Sequence, residues 1–241
     1  MIIKAPFYTY AIGRTLYIPI TCRCNSRTLP ETRGPGFTLS SHTVAALCRF
    51  RDLECQNQRW SHWCNWLDTQ DISQQLPQAL EKVVAIDYHP TSIDTCRILK
   101  DEIHGQMERS DWTELRFGGE GEPTLNLSAV ECLAREFSDK ISITVMTNGL
   151  TECASSLKEW GIAGVSVAFP TSDPNQYVAL MEPLVDNGHE RVCSFIQSAL
   201  ACELQVGLTA IDRPDVNRAK TVELAKLLGV ESEVRWRPYF P

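Results

Sequence analysis

The sequence predicts an α/β fold, a partial (β/α)6 TIM-like barrel, in a single domain spanning residues 1–241. From about residue 110 onward, short apolar segments rich in β-branched residues alternate with helical segments of about ten residues or more. This alternation is typical of βαβ units and a parallel sheet. Six strands are predicted, which are too few to close an eight-stranded barrel, so the sheet is expected to stay open. The C-terminal ends of the strands should then form the functional edge.

The N-terminal part contains one predicted strand, two predicted helices and a long irregular segment. The strand spans residues 15–20 (TLYIPI), and the first helix spans residues 44–51. Residues 52–90 are polar, contain three tryptophans and show neither the helical nor the strand period. We therefore expect a long surface insertion there. A second helix is predicted over residues 92–107, with Ser92 as its candidate N-cap.

The C-terminal half follows the alternating pattern closely. The segment ISITVM, for example, is β-branched and apolar throughout, as expected for a strand that is buried on both faces. Gly161 and Gly229 are expected to end helices. The predicted strands span residues 115–117, 141–146, 165–169, 204–209 and 234–237. The predicted helices span residues 127–137, 151–160, 189–202 and 216–228.

Composition and charge limit the partners that the chain is expected to have. The net charge is -7, and no stripe of basic residues is visible, which argues against a nucleic-acid-binding surface. No apolar run reaches the about 18 residues of a membrane span, and the N-terminus lacks the pattern of a secretory signal. We therefore expect a cytoplasmic protein that binds a small molecule and has neither a nucleic acid nor a membrane as its partner.

The ten cysteines fall into different groups. Several lie within or beside helical patterns and are interpreted as small buried apolar residues of a reducing compartment: Cys96, Cys132, Cys153, Cys193 and Cys202. Cys22 and Cys24 differ, because they lie together at the end of the first predicted strand. Two residues apart on extended chain, their side chains are expected to share a face.

Four polar or glycine-rich segments follow predicted strands, at the edge where a ligand would bind. They are residues 21–27 (TCRCNSR), 118–124 (GGEGEPT), 147–149 (TNG) and 169–172 (FPTS). Since the ends of parallel strands meet at one edge, these four segments are expected to form one site.

The segment GGEGEPT favours recognition of a ligand ammonium group. Its three glycines expose backbone groups to a ligand, and Glu120 and Glu122 add carboxylate acceptors. The same segment also fits a tight loop that only turns the chain. As a further alternative, Glu120 or Glu122 could act as the general acid or base of a different barrel enzyme.

Five pieces of sequence resemble the radical-SAM superfamily, and within it the TatD-associated radical-SAM group. In order, they are LYIPITCRCN, FGGEGEPTL, VMTNG, VSVAFPTSDPNQY and RWRPYF. The similarity covers roughly residues 15–40 and 110–241. It implies a partial (β/α)6 barrel, a [4Fe–4S] cluster on three cysteines spaced C-x3-C-x2-C, and S-adenosylmethionine on the fourth iron. It also implies a TatD-type metal-dependent hydrolase as a partner.

The resemblance assigns residues to the cofactor by position. Cys24 matches the first cluster cysteine. Arg237 lies on the last strand, where its side chain could meet a carboxylate or a substrate anion. The residues that match S-adenosylmethionine contacts are Gly119, Glu120, Gly121, Glu122, Thr147, Asn148, Ser166 and Arg235.

The cluster motif is incomplete in this chain. Counting from Cys24, the second and third cysteines fall on Thr28 and Glu31. Iron–sulfur clusters are held by thiolates, and a hydroxyl or a hard carboxylate oxygen is a poor substitute. The sequence therefore predicts a domain that has lost its [4Fe–4S] cluster, keeps a cavity shaped for S-adenosylmethionine, and serves for binding or as a scaffold.

Other thiols leave an alternative open, an active radical-SAM enzyme with a rearranged cluster. Cys22 and Cys24 would then supply two metal ligands, and Cys55 or Cys64 of the irregular segment would supply others. Cys55, His62 and Cys64 also resemble a loose zinc site, although structural zinc sites more often contain a cysteine pair two to four residues apart.

Overall fold

The computed structural model of the chain describes residues 8–54, 92–119 and 121–241. Most of the predicted insertion at residues 52–90 lies outside these ranges. The strands are β1 (Tyr10–Ile12), β2 (Thr15–Ile18), β3 (Glu114–Phe117), β4 (Ser142–Thr147), β5 (Gly164–Ala168), β6 (Gln205–Asp212) and β7 (Arg235–Pro238). The helices are α1 (Ser41–Glu54), α2 (Ser92–Met107), α3 (Leu127–Phe137), α4 (Ala154–Glu159), α5 (Pro174–Met181), α6 (Gly188–Ala201) and α7 (Arg218–Leu227).

The strands form one sheet in sequence order, β1 to β7, which confirms the predicted α/β fold. Strands β2 to β7 are parallel to one another, and helices lie between most of them along the chain. Strand β1 pairs antiparallel with β2 through a tight turn at Gly13, whose φ is 62°. The sequence analysis missed β1. Because β1 and β7 lie at opposite ends of the strand order, the sheet is open, as predicted.

Alternate residues of the strands face two different environments. One face is apolar and packs against the helices, as Leu115 and Phe117 show, each with no measurable exposure. The intervening positions carry Tyr17, Arg116 and Ser166, which line a cavity. This alternation follows from the two-residue period of a strand and places the polar side chains on one face.

Side-chain caps set several helix boundaries. The Asn126 side chain accepts a hydrogen bond from the Ala129 amide, and α3 begins at the predicted residue. Asn217 caps α7 in the same way, so this helix starts two residues later than predicted. Helix α5 was not predicted, although Asp173 followed by Pro174 is a strong start signal: the Asp173 carboxylate accepts from two backbone amides.

A disulfide joins α2 to α3 through Cys96 and Cys132. The interpretation of these two cysteines as separate buried apolar residues was therefore wrong. Cys153 fits that interpretation, since its thiol is free and buried, while Cys193 and Cys202 are free and half-buried. No helix within the described residues is long and apolar enough to cross a membrane.

Candidate functional site

A cavity of about 240 Å³ lies at the end of the sheet where the parallel strands finish. Loops after β2, β3 and β4 contribute to its wall, as predicted for three of the four polar or glycine-rich segments, whereas no residue of the fourth segment, 169–172, is among those that line it. Residues from each of these three loops that line it include Cys24, Gly119, Glu122 and Asn148.

Glu122 is the most heavily hydrogen-bonded residue at this edge. It is 3% exposed, and its carboxylate accepts four hydrogen bonds. Oε1 accepts from the Thr124 amide and hydroxyl and from the Thr147 hydroxyl, while Oε2 accepts from the Asn148 amide at 2.6 Å. Burial raises the pKa of the Glu122 carboxyl, and these donors act against that rise. The carboxylate thereby joins the loop after β3 to the end of β4.

The glycines of this loop serve close packing of the chain as well as lining the cavity. A Cβ on Gly121 would lie 2.4 Å from the carbonyl oxygens of both Thr21 and Arg23. The Gly121 amide donates to the Thr21 carbonyl, so the loops after β2 and β3 are in backbone contact. Gly118 has a φ of 152° and leaves no room for a side chain beside Met146. The sequence alone indicated ligand approach or a tight turn for these glycines, and this packing role was not predicted.

Asn148 fixes a third loop to the first. Its side-chain amide donates to Asn25 at 2.7 Å and to Ser26 at 3.1 Å, and its oxygen accepts from the Leu150 amide. Thr147 donates to Glu122 and accepts from the Gly149 amide. Both predicted residues of the TNG segment therefore position loops around the cavity.

Only some of the remaining residues matched to S-adenosylmethionine line the cavity. Ser166 on β5 lines the cavity, with its hydroxyl 3.4 Å from that of Thr209. Arg235 is exposed and is not among the residues that line the cavity, whereas Arg237, two positions along β7, does line it. Glu120 lies outside the described residues.

Cys24 lines the cavity and is half-buried. Burial, followed by the nearby Glu122 and Glu31 carboxylates, raises its pKa to about 12, while hydrogen bonds from Ser26 lower it. The group is therefore neutral at physiological pH. Cys22 is fully buried, does not line the cavity and is disulfide-bonded. The two cysteines therefore have different environments rather than a common exposed face.

The two positions that depart from the cluster motif bind each other. The Glu31 carboxylate accepts from the Thr28 amide at 2.7 Å and from the Thr28 hydroxyl at 2.9 Å. Thr28 and Glu31 flank Pro30, the first residue of a 3₁₀ turn that runs from Pro30 to Arg33. The spacing T-x-x-E is that of a capping box, in which the glutamate satisfies an amide at the start of a helix.

The described residues do not fit a thiolate-held [4Fe–4S] cluster. Of the three motif positions only Cys24 is a thiol, and the other two carry oxygen groups that are already hydrogen-bonded to each other. Within residues 8–54, 92–119 and 121–241, no three His, Cys, Asp or Glu side chains converge as metal ligands. Cys55, His62 and Cys64, which the alternative metal sites require, lie outside the described residues.

The sequence analysis missed two arginines that line the cavity, Arg33 in the 3₁₀ turn and Arg116 on β3. A signal for the second was present. The segment ELRF alternates charged and apolar residues, whereas the neighbouring predicted strands are apolar, so two charged side chains must share one face of β3.

No protein-family model matches the sequence, and no curated protein matches it. Among solved structures, the chain is similar to one described as "Structure of TYW1 with a lysine-pyruvate adduct bound", with a TM-score of 0.49 and 12% sequence identity. The alignment covers 95% of this chain and 65% of that one, so the chain spans less than two thirds of that protein's length. A similarity this distant assigns no function to the chain.

Proposed function

We propose that this chain binds S-adenosylmethionine, or a closely related sulfonium nucleoside, in the cavity at the strand ends and holds no [4Fe–4S] cluster. It would then serve as a binding or scaffold domain rather than as a radical-forming enzyme. The proposal joins the resemblance to the radical-SAM superfamily with the geometry of the described residues.

The observation that carries the proposal is the Glu122 carboxylate in the cavity wall. Among the described residues, its Oε2 accepts a hydrogen bond only from the Asn148 amide, which leaves a second lone pair for a ligand donor. A buried carboxylate that lines a cavity is a strong partner for an ammonium group, because little water competes with the charge pair. The amino group of the methionine moiety is such a group.

Two further features of the cavity support the proposed orientation of this ligand. Gly119 lines the cavity, so the backbone groups of its loop can contact the methionine part of S-adenosylmethionine. The Ser166 hydroxyl lies at the cavity on β5, the strand that the resemblance assigns to the ribose. In this role the chain binds and orients the ligand, and the buried loops exclude water from its amino group.

The loss of the cluster rests on the ligands available beside the cavity. A cluster of this type, when bound, supplies the electron that cleaves the sulfonium bond, and it requires several thiolates. Cys24 is the one motif position that supplies a thiol, and Thr28 and Glu31 are hydrogen-bonded to each other. The alternative of a rearranged cluster needs the Cys22 sulfur as a thiolate, but that sulfur is disulfide-bonded. The pairing with a TatD-type hydrolase stays a prediction.

The use of Glu122 as a general acid or base is less favoured than its binding role. Its carboxylate is held by Thr124, Thr147 and Asn148, and each of these donors stabilises the ionised form in place. Protonation at Oε2 would turn that oxygen into a donor and oppose its contact with the Asn148 amide. We therefore assign Glu122 to binding.

Calorimetric titration of S-adenosylmethionine into the iron-free protein tests the binding proposal. We expect saturable binding at a ratio of one per chain, and weakening of several-fold when Ser166→Ala removes the hydroxyl in the cavity. Ser194→Ala is the matched control, because Ser194 is exposed on α6 and does not line the cavity. Absence of binding at millimolar ligand would refute the proposal, and equal weakening by both variants would remove Ser166 from the site.

A further inference from the structure

Four arginines line the cavity, and none has a part in the proposed sulfonium site. One of them, Arg27, pairs with Glu182. The other three come from separate parts of the chain: Arg33 from the 3₁₀ turn, Arg116 from β3 and Arg237 from β7. Burial lowers the pKa of Arg33, and the nearby Arg237 charge lowers it further. Burial likewise lowers the pKa of Arg237, and the charges of Arg235 and Arg116 add to this effect. The arginines are thus close enough for their charges to repel.

Only one of the three has a carboxylate partner within the described residues. Arg116 Nη2 donates to both oxygens of Glu114, at 2.8 and 2.6 Å, and its Nη1 donates to the Tyr17 hydroxyl at 3.3 Å. Its Nε is buried without a hydrogen-bond partner. No aspartate or glutamate of the described ranges forms a salt bridge with Arg33 or Arg237.

Aromatic rings hold the Arg33 guanidinium in place. Its central carbon lies 3.9 Å from the centroid of the Phe37 ring and 5.2 Å from that of Phe240. Its Nε donates to the Pro238 carbonyl at 3.2 Å, so the two terminal nitrogens remain for a ligand. A stacked arginine of this kind presents a planar, preorganised fork of donors.

Half-buried like charges without enough counter-charge destabilise a fold, and a bound anion removes that penalty. The chain as a whole has a net charge of -7, so the cationic character of this wall is local rather than a reflection of the composition. The guanidinium fork matches the two oxygens of a carboxylate or phosphate. A function in anion binding explains why Arg33 and Arg237 face the cavity without a carboxylate partner among the described residues.

The wall next to the arginines is apolar. The Tyr10 and Tyr17 rings stack with their centroids 5.0 Å apart, and Leu47 and Met146 line the same cavity. We propose that Arg33, Arg116 and Arg237 form a binding subsite for a small organic anion, whose carboxylate or phosphate meets the arginines and whose apolar body lies against this wall. The subsite goes beyond the proposed function and stands without it, because it depends on other residues than Glu122 and Ser166.

Benzoate, phenyl phosphate and uncharged benzamide are suitable probes for calorimetry or ligand-observed NMR at low ionic strength. We expect at least one of the two anions to bind and benzamide not to bind. Arg237→Met and Arg33→Met should each weaken anion binding by about tenfold or more, the loss expected for a charge-assisted hydrogen bond. Arg235→Met is the matched control on the same strand, and it should change the affinity by less than about twofold, because a screened charge outside the cavity acts weakly.

Two results would overturn the subsite. One is that neither anion binds to the wild-type protein, and the other is that Arg235→Met weakens binding as much as Arg237→Met. Thermal unfolding without ligand checks the fold of each variant, and Arg237→Met should unfold no earlier than the wild type, since it removes a repelling charge. If that variant does not fold, Arg33→Met decides the question.

Titration of the same variants with S-adenosylmethionine separates this subsite from the proposed sulfonium site. Ser166→Ala should keep anion binding while it weakens the sulfonium ligand. A wild-type protein that binds benzoate or phenyl phosphate but not S-adenosylmethionine would refute the proposed function alone. The reverse result would refute the anion subsite alone.

Discussion

The loops after β2 and β3 lie in backbone contact at one edge of the sheet, yet they use their polar groups in different ways. In the loop after β3, the Glu122 carboxylate accepts bonds from its own loop and from the end of β4, and it still lines the cavity. In the loop after β2, the Glu31 carboxylate bonds Thr28 of the same turn. The Glu122 contacts connect separate loops around the cavity, whereas the Glu31 contacts stabilise only a local turn.

If the proposed function is correct, this difference explains how the chain could bind the ligand without holding a cluster. Replacement of Glu122 would break contacts between two strand ends, so this residue is needed for the stability of the fold as well as for binding. Thiols at positions 28 and 31 would be needed only for a cluster, and a T-x-x-E turn replaces them without affecting the sheet. The predictions below test whether the two loops really differ in this way.

Glu122→Gln should give the largest loss of stability. The amide nitrogen of glutamine cannot accept a hydrogen bond, so at least one buried donor such as the Asn148 amide would lose its partner. We expect the free energy of unfolding to fall by roughly 2–4 kcal/mol, measured by urea denaturation. We also expect S-adenosylmethionine binding to be lost.

The control for this variant is Glu131→Gln on the outer surface of α3. The Glu131 side chain is 42% exposed and pairs with Arg135 four residues later, so its replacement should change the free energy of unfolding by less than about 1 kcal/mol. Similar losses for the two variants would mean that the Glu122 network has no special importance.

Glu31→Gln should have a smaller effect, confined to its turn. The variant weakens the capping contacts to the Thr28 amide and hydroxyl, and the expected loss is about 0.5–2 kcal/mol, as for other helix caps. S-adenosylmethionine affinity should be unchanged, since Glu31 is not among the residues that line the cavity. A loss of ligand binding with this variant would contradict the distinction between the two loops.

The smallest expected effect concerns Cys24, because folding should shift the pH dependence of its reactivity. Its pKa is raised from 9.0 to about 12, so the folded protein keeps the thiol protonated where an unfolded chain ionises it. Between pH 9 and pH 12 the unfolded state therefore binds fewer protons, and this residue makes the fold less stable as pH rises.

Alkylation by iodoacetamide, followed by mass spectrometry, measures this property because the thiolate is the reactive form. We expect Cys24 in the folded protein to react far more slowly at pH 8 than it does in urea, where the ordinary pKa applies. Equal rates in the two states would show an accessible thiolate that could serve as a metal ligand.

The regular part of the fold could be predicted because local signals and packing agree there. Strand β4 is a run of apolar and β-branched residues, and helix α3 follows a clear helical period and begins at a capped residue. Strand β1 has only three residues, too few to show a period, and its pairing is set by the turn at Gly13. The Cys96–Cys132 disulfide depends on how α2 and α3 approach each other, which no spacing within the sequence reveals.

The candidate site could be predicted only in part for a related reason. The strand-end position of Glu122, Thr147 and Asn148 follows from the alternation of strands and helices. The arginine wall does not, because Arg33 and Arg237 are about two hundred positions apart and meet through the contact between the 3₁₀ turn and the C-terminal segment. The resemblance places both Arg235 and Arg237 on the last strand, and sequence alone does not show that the cavity reaches Arg237 and not Arg235.

The affinity for S-adenosylmethionine before and after anaerobic treatment with iron and sulfide tests the central claim most directly. The account predicts binding by the iron-free protein, the same affinity after treatment, and no charge-transfer absorption near ~400 nm from a thiolate-bound cluster. Uptake of a cluster that is lost in Cys24→Ala, together with ligand binding only in the iron-loaded protein, would contradict it.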